Sequence, residues 1–292
     1  MRKNILDLIN ERIVLMDGGM GTMLIADGLK ENEVPENWNL EHPDKVARIH
    51  SYYYDAGSDI VQTNTFGGNR LKLNKKGLGE KTYEINFKAA KLAIDVCPES
   101  KYVAGDIGPT GEFLQPSGIY KDDDFIEIFK EQTNALKEGG VHILSIETMF
   151  DIREAISALV AVKKISNLPV FVEVTFNCTP RGFFTMMGDS VEKCMKELEL
   201  NGADAVGSNC TNDSTKMLEL LKEIKKHTKL PVIIQPNAGQ PQIIDNKVVY
   251  EQSILDFTEN IKKMIDEGVN IIGGCCGTNP EYIKEICKII NK

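Results

Sequence analysis

Eight alternations of a short apolar run with a helical stretch predict a single-domain (β/α)8 barrel over residues 1–292. Three observations carry the prediction. Four of the runs open on one phrase, a glycine, any residue, a polar residue and then apolar residues: GSDIV (57–61), GVHIL (140–144), GADAV (202–206) and GVNII (268–272). Two more open on LPV, in LPVFVEVTF (168–176) and LPVIIQPN (230–237). The length, 292 residues, is that of one large α/β barrel.

With RIVLMDGG (12–19) and KYVAGDIG (101–108), the runs number eight, starting near residues 13, 59, 102, 142, 170, 205, 232 and 270. Each phrase glycine follows a helical pattern, where a left-handed cap is needed. The β-branched residues after it suit a strand buried on both faces. Helical spacing fills the gaps, as in DFIEIFKEQTNALKEGG, and Asp151 and Ser190 are expected N-caps. An open doubly wound sheet is the alternative, but no glycine-rich dinucleotide fingerprint supports it. About forty residues separate the first two strands. They carry ADGLKENEVPENWNLEHPDK and the only tryptophan, Trp38, and read as an elaborated loop over the top of the barrel.

Composition narrows the partners. A net charge of −9 argues against nucleic acid and anionic membrane, which reward clustered Lys and Arg. MRKNILDLIN lacks the apolar core of a signal peptide, and no run approaches the ~18 apolar residues of a membrane span. Seven cysteines, an odd number, fit reduced thiols in the cytoplasm better than a disulfide framework.

In a barrel the chemistry collects at the C-terminal ends of the strands. Those ends read Asp17, Asn64, Asp106, Glu147, Asn177 with Cys178, Cys210, Asn237, and Cys275 with Cys276. Cys97, Cys194 and Cys287 fall in helical stretches and read as small buried hydrophobes. Cys210 and the Cys275–Cys276 pair close strands two apart on the rim, so three sulfurs can converge. Three thiolates suit tetrahedral Zn²⁺ with an open fourth position. The alternatives are plain packing, a strained disulfide between Cys275 and Cys276, and an iron–sulfur cluster with Cys178 as fourth ligand. A thiolate-rich zinc favours a substrate thiol, which it deprotonates near neutral pH. That implies S-alkylation by the substrate's thiolate, with no protein nucleophile. Asp17 and Glu147 can hold an ammonium group, or serve only as a structural cap or ion pair, and the amides of Gly18 and Gly19 can hold a carboxylate, which points to an amino-acid thiol.

These residues resemble the homocysteine S-methyltransferase family, and most of all the homocysteine-binding barrel of cobalamin-dependent methionine synthase. The resemblance runs through LMDGGMGTML, GSDIVQTNTFGGNRLKL, GDIGPTGE, SIET, GSNC, QPNAG and GVNIIGGCCGTNPE, essentially the whole chain. It implies zinc on Cys210, Cys275 and Cys276, and homocysteine ammonium on Asp17 and Glu147. It also implies that Asn237, with Asn64, lies near the metal or substrate. GDIGPTGE and QTNTFGGNR look like the corrinoid-using branch, so the implied methyl donor is methylcobalamin or a methyl-corrinoid protein acting in trans. S-methylmethionine or S-adenosylmethionine as donor, another thiol or selenol as acceptor, and a non-catalytic zinc–thiolate module that senses thiols or docks a corrinoid partner remain open. So does the choice between a free-standing barrel and a piece of a longer synthase. Cys178 has no counterpart expected from the family.

Overall fold

The computed structural model describes residues 2–244 and 247–291. Eight parallel strands form one sheet: β1 (Val14–Leu15), β2 (Ile60–Gln62), β3 (Tyr102–Ile107), β4 (Ile143–Met149), β5 (Val170–Val174), β6 (Ala205–Asp213), β7 (Val232–Asn237) and β8 (Ile271–Ile272). Each pairs with the next in chain order, β8 pairs with β1, and a bridge from Met16 to Ile60 joins β1 to β2. The sheet is therefore a closed barrel. Eight helices follow the strands in turn: α1 (Pro43–Asp55), α2 (Thr82–Asp95), α3 (Asp122–Gly139), α4 (Ile152–Ile165), α5 (Val191–Leu200), α6 (Ser214–Ile224), α7 (Ile254–Asp266) and α8 (Pro280–Ile290).

Period-two alternation divides the apolar side chains into two layers. Val14, Met16, Ile60, Tyr102, Ala104, Ile143, Phe171, Ala205, Ile233 and Ile271 fill the barrel's interior. Ile5 and Ile9, from the N-terminal helix Ile5–Glu11, close its lower end. Burying each of those isoleucines contributes about 1.5–3 kcal/mol. Their alternating neighbours, such as Val61, Val103, Leu144, Val172 and Val206, pack outward against the helices. Gly57, Gly140, Gly202 and Gly268 all adopt the left-handed conformation that the repeated phrase implied. At Gly57 a Cβ would also come within 2.4 Å of the Cys287 sulfur. Asp151 and Ser190 cap α4 and α5, accepting from the amides of Arg153 and Lys193.

Some details depart from the expectation or add to it. The segment between β1 and α1 is not an open loop: it folds into the helix Met20–Ala26, a turn at Pro35–Asn37 and the short helix Trp38–Glu41. Trp38 is buried because its indole is largely apolar; its Nε1 donates to Glu33, and the Lys45 ammonium sits 4.5 Å from its ring centre. Strand five stops at Val174, and Asn177–Thr179 pairs with Gly182–Phe184 in a separate hairpin that leaves Asn177 and Cys178 exposed. Cys97 lies past the end of α2, half-buried beside Arg2, because the helix stops before Pro98. Cys194 is fully buried in α5, as expected, whereas Cys287, also in its expected helix α8, is only half-buried. A second hairpin, Pro241–Ile244 with Lys247–Tyr250, extends the loop after β7.

Candidate metal centre and substrate pocket

The loop after β8 is tightly fixed. Cys275 donates its amide to Pro236, Cys276 donates to the side-chain oxygen of Asn237, Gly274 to the carbonyl of Asp17, and Gly277 to the hydroxyl of Thr22. Ala238 in turn donates to the Cys276 carbonyl. Thr278 Oγ1 closes back on the Cys275 carbonyl at 2.7 Å. Gly274 has no room for a Cβ, which would sit 2.4 Å from that hydroxyl oxygen, and Gly277 is left-handed at φ 82°. The chain thus turns through the two cysteines instead of alternating them across a strand. The third cysteine comes from a bulge. β6 breaks register with β7 between Asn209 and Asp213, and Cys210 and Thr211 there take φ values of 56° and 60°. Such conformations cost of order 1–3 kcal/mol and cluster at functional sites.

The result brings the sulfurs of Cys210, Cys275 and Cys276 within 4.8 Å of one another, with 4.0 Å between Cys210 and Cys276. A tetrahedral ion with metal–sulfur bonds of about 2.3 Å requires sulfur separations of about 3.8 Å. The donor set therefore fits zinc with only small movements. All seven cysteines are free, which removes the disulfide between Cys275 and Cys276. Cys178 is exposed on its hairpin and outside the sulfur group, so the four-cysteine cluster fails as well. Of the three thiols, Cys276 is the one most readily ionised. Hydrogen bonds from Cys210 and Cys275, with help from Tyr250, hold Cys276 well below the usual thiol range. Cys275 is pushed up by its bonds to Cys210 and Cys276 and by burial. The ring of Tyr250, from the second hairpin, lies against Gly277, where a Cβ would be 2.4 Å from it.

Beside the sulfurs lie three buried acids, Asp17, Asp106 and Glu173, and a half-buried one, Glu147. Asp17 is 1% exposed; one of its oxygens accepts from the Gln62 amide at 2.8 Å and the other has no partner. Burial raises it well above the ordinary carboxyl range, and the nearby Glu147 adds to the rise. Glu147 sits where β4 breaks register with β5, followed by Thr148 at φ 56°. Its Oε2 accepts from Asn209 and from the Thr148 hydroxyl, and it hydrogen-bonds Asp106. Two carboxyls in contact share a proton. Burial pushes Glu147 up to about 7 and raises Asp106 well above its usual range. Glu173 faces the interior between the outward Val172 and Val174, with neither oxygen partnered. None of the four acids forms an ion pair among the described residues. Unpaired buried acceptors of this kind suit a cationic donor.

The remaining expected residues stand as follows. Gly18 and Gly19 are held close to the cysteine loop: added Cβ atoms would lie 2.7 Å from the hydroxyl oxygens of Thr278 and Thr22, respectively. The Gly19 amide already donates to Thr278 Oγ1. Asn237 lies under the metal loop through its bond to the Cys276 amide. Asn64 instead donates its side chain to Pro35 and Asn39, tying β2 to the segment before α1. The sequence reasoning did not single out Asn209, Tyr250 or Glu173, and gave Asp106 no role beyond its place at a strand end. Adjacency to Cys210 was the only local signal for Asn209; Tyr250 arrives from a distant hairpin and had none.

Among curated proteins the chain is 28% identical, over 305 aligned positions, to the methionine synthase of Mycobacterium tuberculosis, covering 98% of this chain and 25% of the relative. The chain thus spans about a quarter of that relative's length. Among solved structures it is similar to the homocysteine methyltransferase MmuM from Escherichia coli. The metallated form matches with TM-score 0.78 and 21% identity, over 97% of this chain and 98% of that chain. The oxidized form gives 0.81 and 20%, over 98% and 100%. A methyltransferase from Methanosarcina mazei shares the fold more distantly, at TM-score 0.62 and 10% identity over 98% and 97%. The family model for homocysteine S-methyltransferase matches residues 14–290, and the chain belongs to that family.

Proposed function

We propose that this protein methylates the thiol of homocysteine to give methionine, with zinc held by Cys210, Cys275 and Cys276. The observation that carries the reading is the convergence of three sulfurs beside acids that form no ion pair among the described residues. Zinc, when bound, is a Lewis acid whose fourth position lowers the pKa of an entering thiol. Asp17 and Glu147, backed by Asp106, receive the ammonium of the amino acid. An opposite charge at hydrogen-bond distance favours the ionised carboxylates, so the Asp106–Glu147 pair gives up its shared proton as the ammonium arrives. The Gly18 amide serves the carboxylate end, while Asn237 and Asn64 hold the loops that shape the pocket. Burial of the acids excludes water and strengthens their hold on the cation.

For the methyl donor we favour a methyl-corrinoid, presented by a partner protein. The corrinoid-branch phrases and the match to one part of a methionine synthase support this. Direct use of a small sulfonium donor such as S-methylmethionine is the second reading. We read the chain as one barrel domain working on reduced thiols in the cytoplasm. No described helix is long and apolar enough to cross a membrane. Zinc-loaded protein with homocysteine, offered methylcobalamin, S-methylmethionine and S-adenosylmethionine in parallel, tests the proposal. Methionine from methylcobalamin supports it, methionine from a sulfonium alone selects the second reading, and none from any donor rejects both.

A further inference from the structure

Asn209 belongs to neither group of functional side chains yet touches both. It is fully buried, and its Oδ1 accepts from the backbone N–H of Thr148 at 2.9 Å. That N–H can only donate, so the orientation of the amide is fixed. Its Nδ2 therefore faces Oε2 of Glu147 and the Thr148 hydroxyl at 2.7 Å, and lies 3.9 Å from the Cys275 sulfur. β5 separates β4 from β6, so this one side chain links two strands that share no backbone bond. It does so where both strands break register, between left-handed Thr148 on one and left-handed Cys210 on the other.

We propose that Asn209 is a positioning residue that fixes the Glu147 carboxylate at a set distance from the thiolate cluster, so that the pocket selects amino-acid thiols by the span from sulfur to ammonium. The proposal rests on the reading that Glu147 receives the ammonium. Without the amide, Glu147 keeps only the Thr148 hydroxyl and its contact with Asp106, and turns away from the strained geometry. The cysteine loop after β8 remains, because Cys275 and Cys276 are held by backbone bonds that do not involve the Asn209 side chain, whose one contact with a sulfur is the 3.9 Å approach to Cys275.

The test loads wild type, Asn209→Ala and Glu147→Gln with cobalt(II) and follows the sulfur-to-cobalt charge-transfer band as thiols are added. The thiols are homocysteine, cysteine (one methylene shorter) and 4-mercaptobutanoate, which is homocysteine without its amine. Asn209→Ala is expected to load cobalt, lose about tenfold or more in homocysteine affinity and keep 4-mercaptobutanoate affinity within about twofold. Its preference for homocysteine over cysteine should shrink with it. Homocysteine affinity unchanged, or both homocysteine and 4-mercaptobutanoate weakened alike, overturns the proposal. If Asn209→Ala does not take up cobalt, the near-isosteric Asn209→Asp, which keeps the Thr148 bond and loses the donors, is held to the same outcomes. Glu147→Gln separates the two ideas. If it leaves homocysteine binding intact, the ammonium reading falls; if it weakens homocysteine alone while Asn209→Ala does not, only the role of Asn209 falls.

Discussion

Glu147→Gln is expected to weaken substrate binding without weakening the fold. Glutamine keeps an oxygen for Asn209 and the Thr148 hydroxyl and turns its amide toward Asp106, so the local bonds survive. What disappears is one charge-assisted hydrogen bond to the substrate ammonium, about 1.5–3 kcal/mol. At about 1.4 kcal/mol per tenfold, homocysteine affinity falls by roughly 10- to 150-fold. The free protein gains instead. The half-buried Glu147 acts on the buried Asp17, Asp106 and Glu173, and removing its ionisable group relieves that repulsion. The melting temperature should hold or rise, by about 2–4 °C for each kcal/mol gained. Calorimetric titration of zinc-loaded protein with homocysteine, and thermal unfolding of the same sample, measure both halves. A loss of less than about threefold in affinity would refute the ammonium role, since no charge-assisted bond is worth so little. A lowered melting temperature would refute the claim that the acids oppose folding.

Cys210→Ser, Cys275→Ser and Cys276→Ser should each lose most bound zinc in metal analysis while far-ultraviolet dichroism shows the barrel intact; full zinc in all three removes the metal site. Glu154, on α4, accepts from the Thr110 amide and hydroxyl with one oxygen and has no partner for the other. Burial pushes it up to about 7. An acid raised on folding stabilises below its unfolded value and loses that contribution as pH rises through the folded one, here between about 4.5 and 7. Glu154→Gln should therefore stabilise the protein by about 1–3 kcal/mol at pH 8 and have little effect at pH 5 in denaturant titrations; equal effects at both contradict this. Gly277→Ala drives a Cβ into the Tyr250 ring at a φ of 82°. It should cost about 2–4 kcal/mol. Tyr250→Ala in the same chain should recover part of the loss, and strict additivity would exclude the clash.

The eight strands were legible because a barrel strand is buried on both faces and its apolar run is nearly unbroken. All eight begin within a residue of where the runs begin. The repeated glycines were legible for a local reason, the left-handed cap each supplies. What escaped is set by contacts between distant segments. Trp38 sits in a polar stretch, and only packing against the body of the barrel makes it a buried residue. Asn177 and Cys178 continue a run that reads as strand, but a hairpin with Gly182–Phe184 takes them off the barrel. Alternation would send Asn209 and Cys210 to opposite faces; the bulge at the end of β6 overrides it and gives both a place at the site. The three cysteines were found because position at a strand end, not spacing, brings them together.

The central claim is that three protein sulfurs leave a place for the sulfur of the substrate. X-ray absorption at the zinc edge, on loaded protein with and without homocysteine, counts those sulfurs directly. The account predicts about three sulfurs at roughly 2.3 Å with one lighter donor in the free protein, and about four sulfurs once homocysteine is bound. A sulfur count that homocysteine leaves unchanged would contradict it.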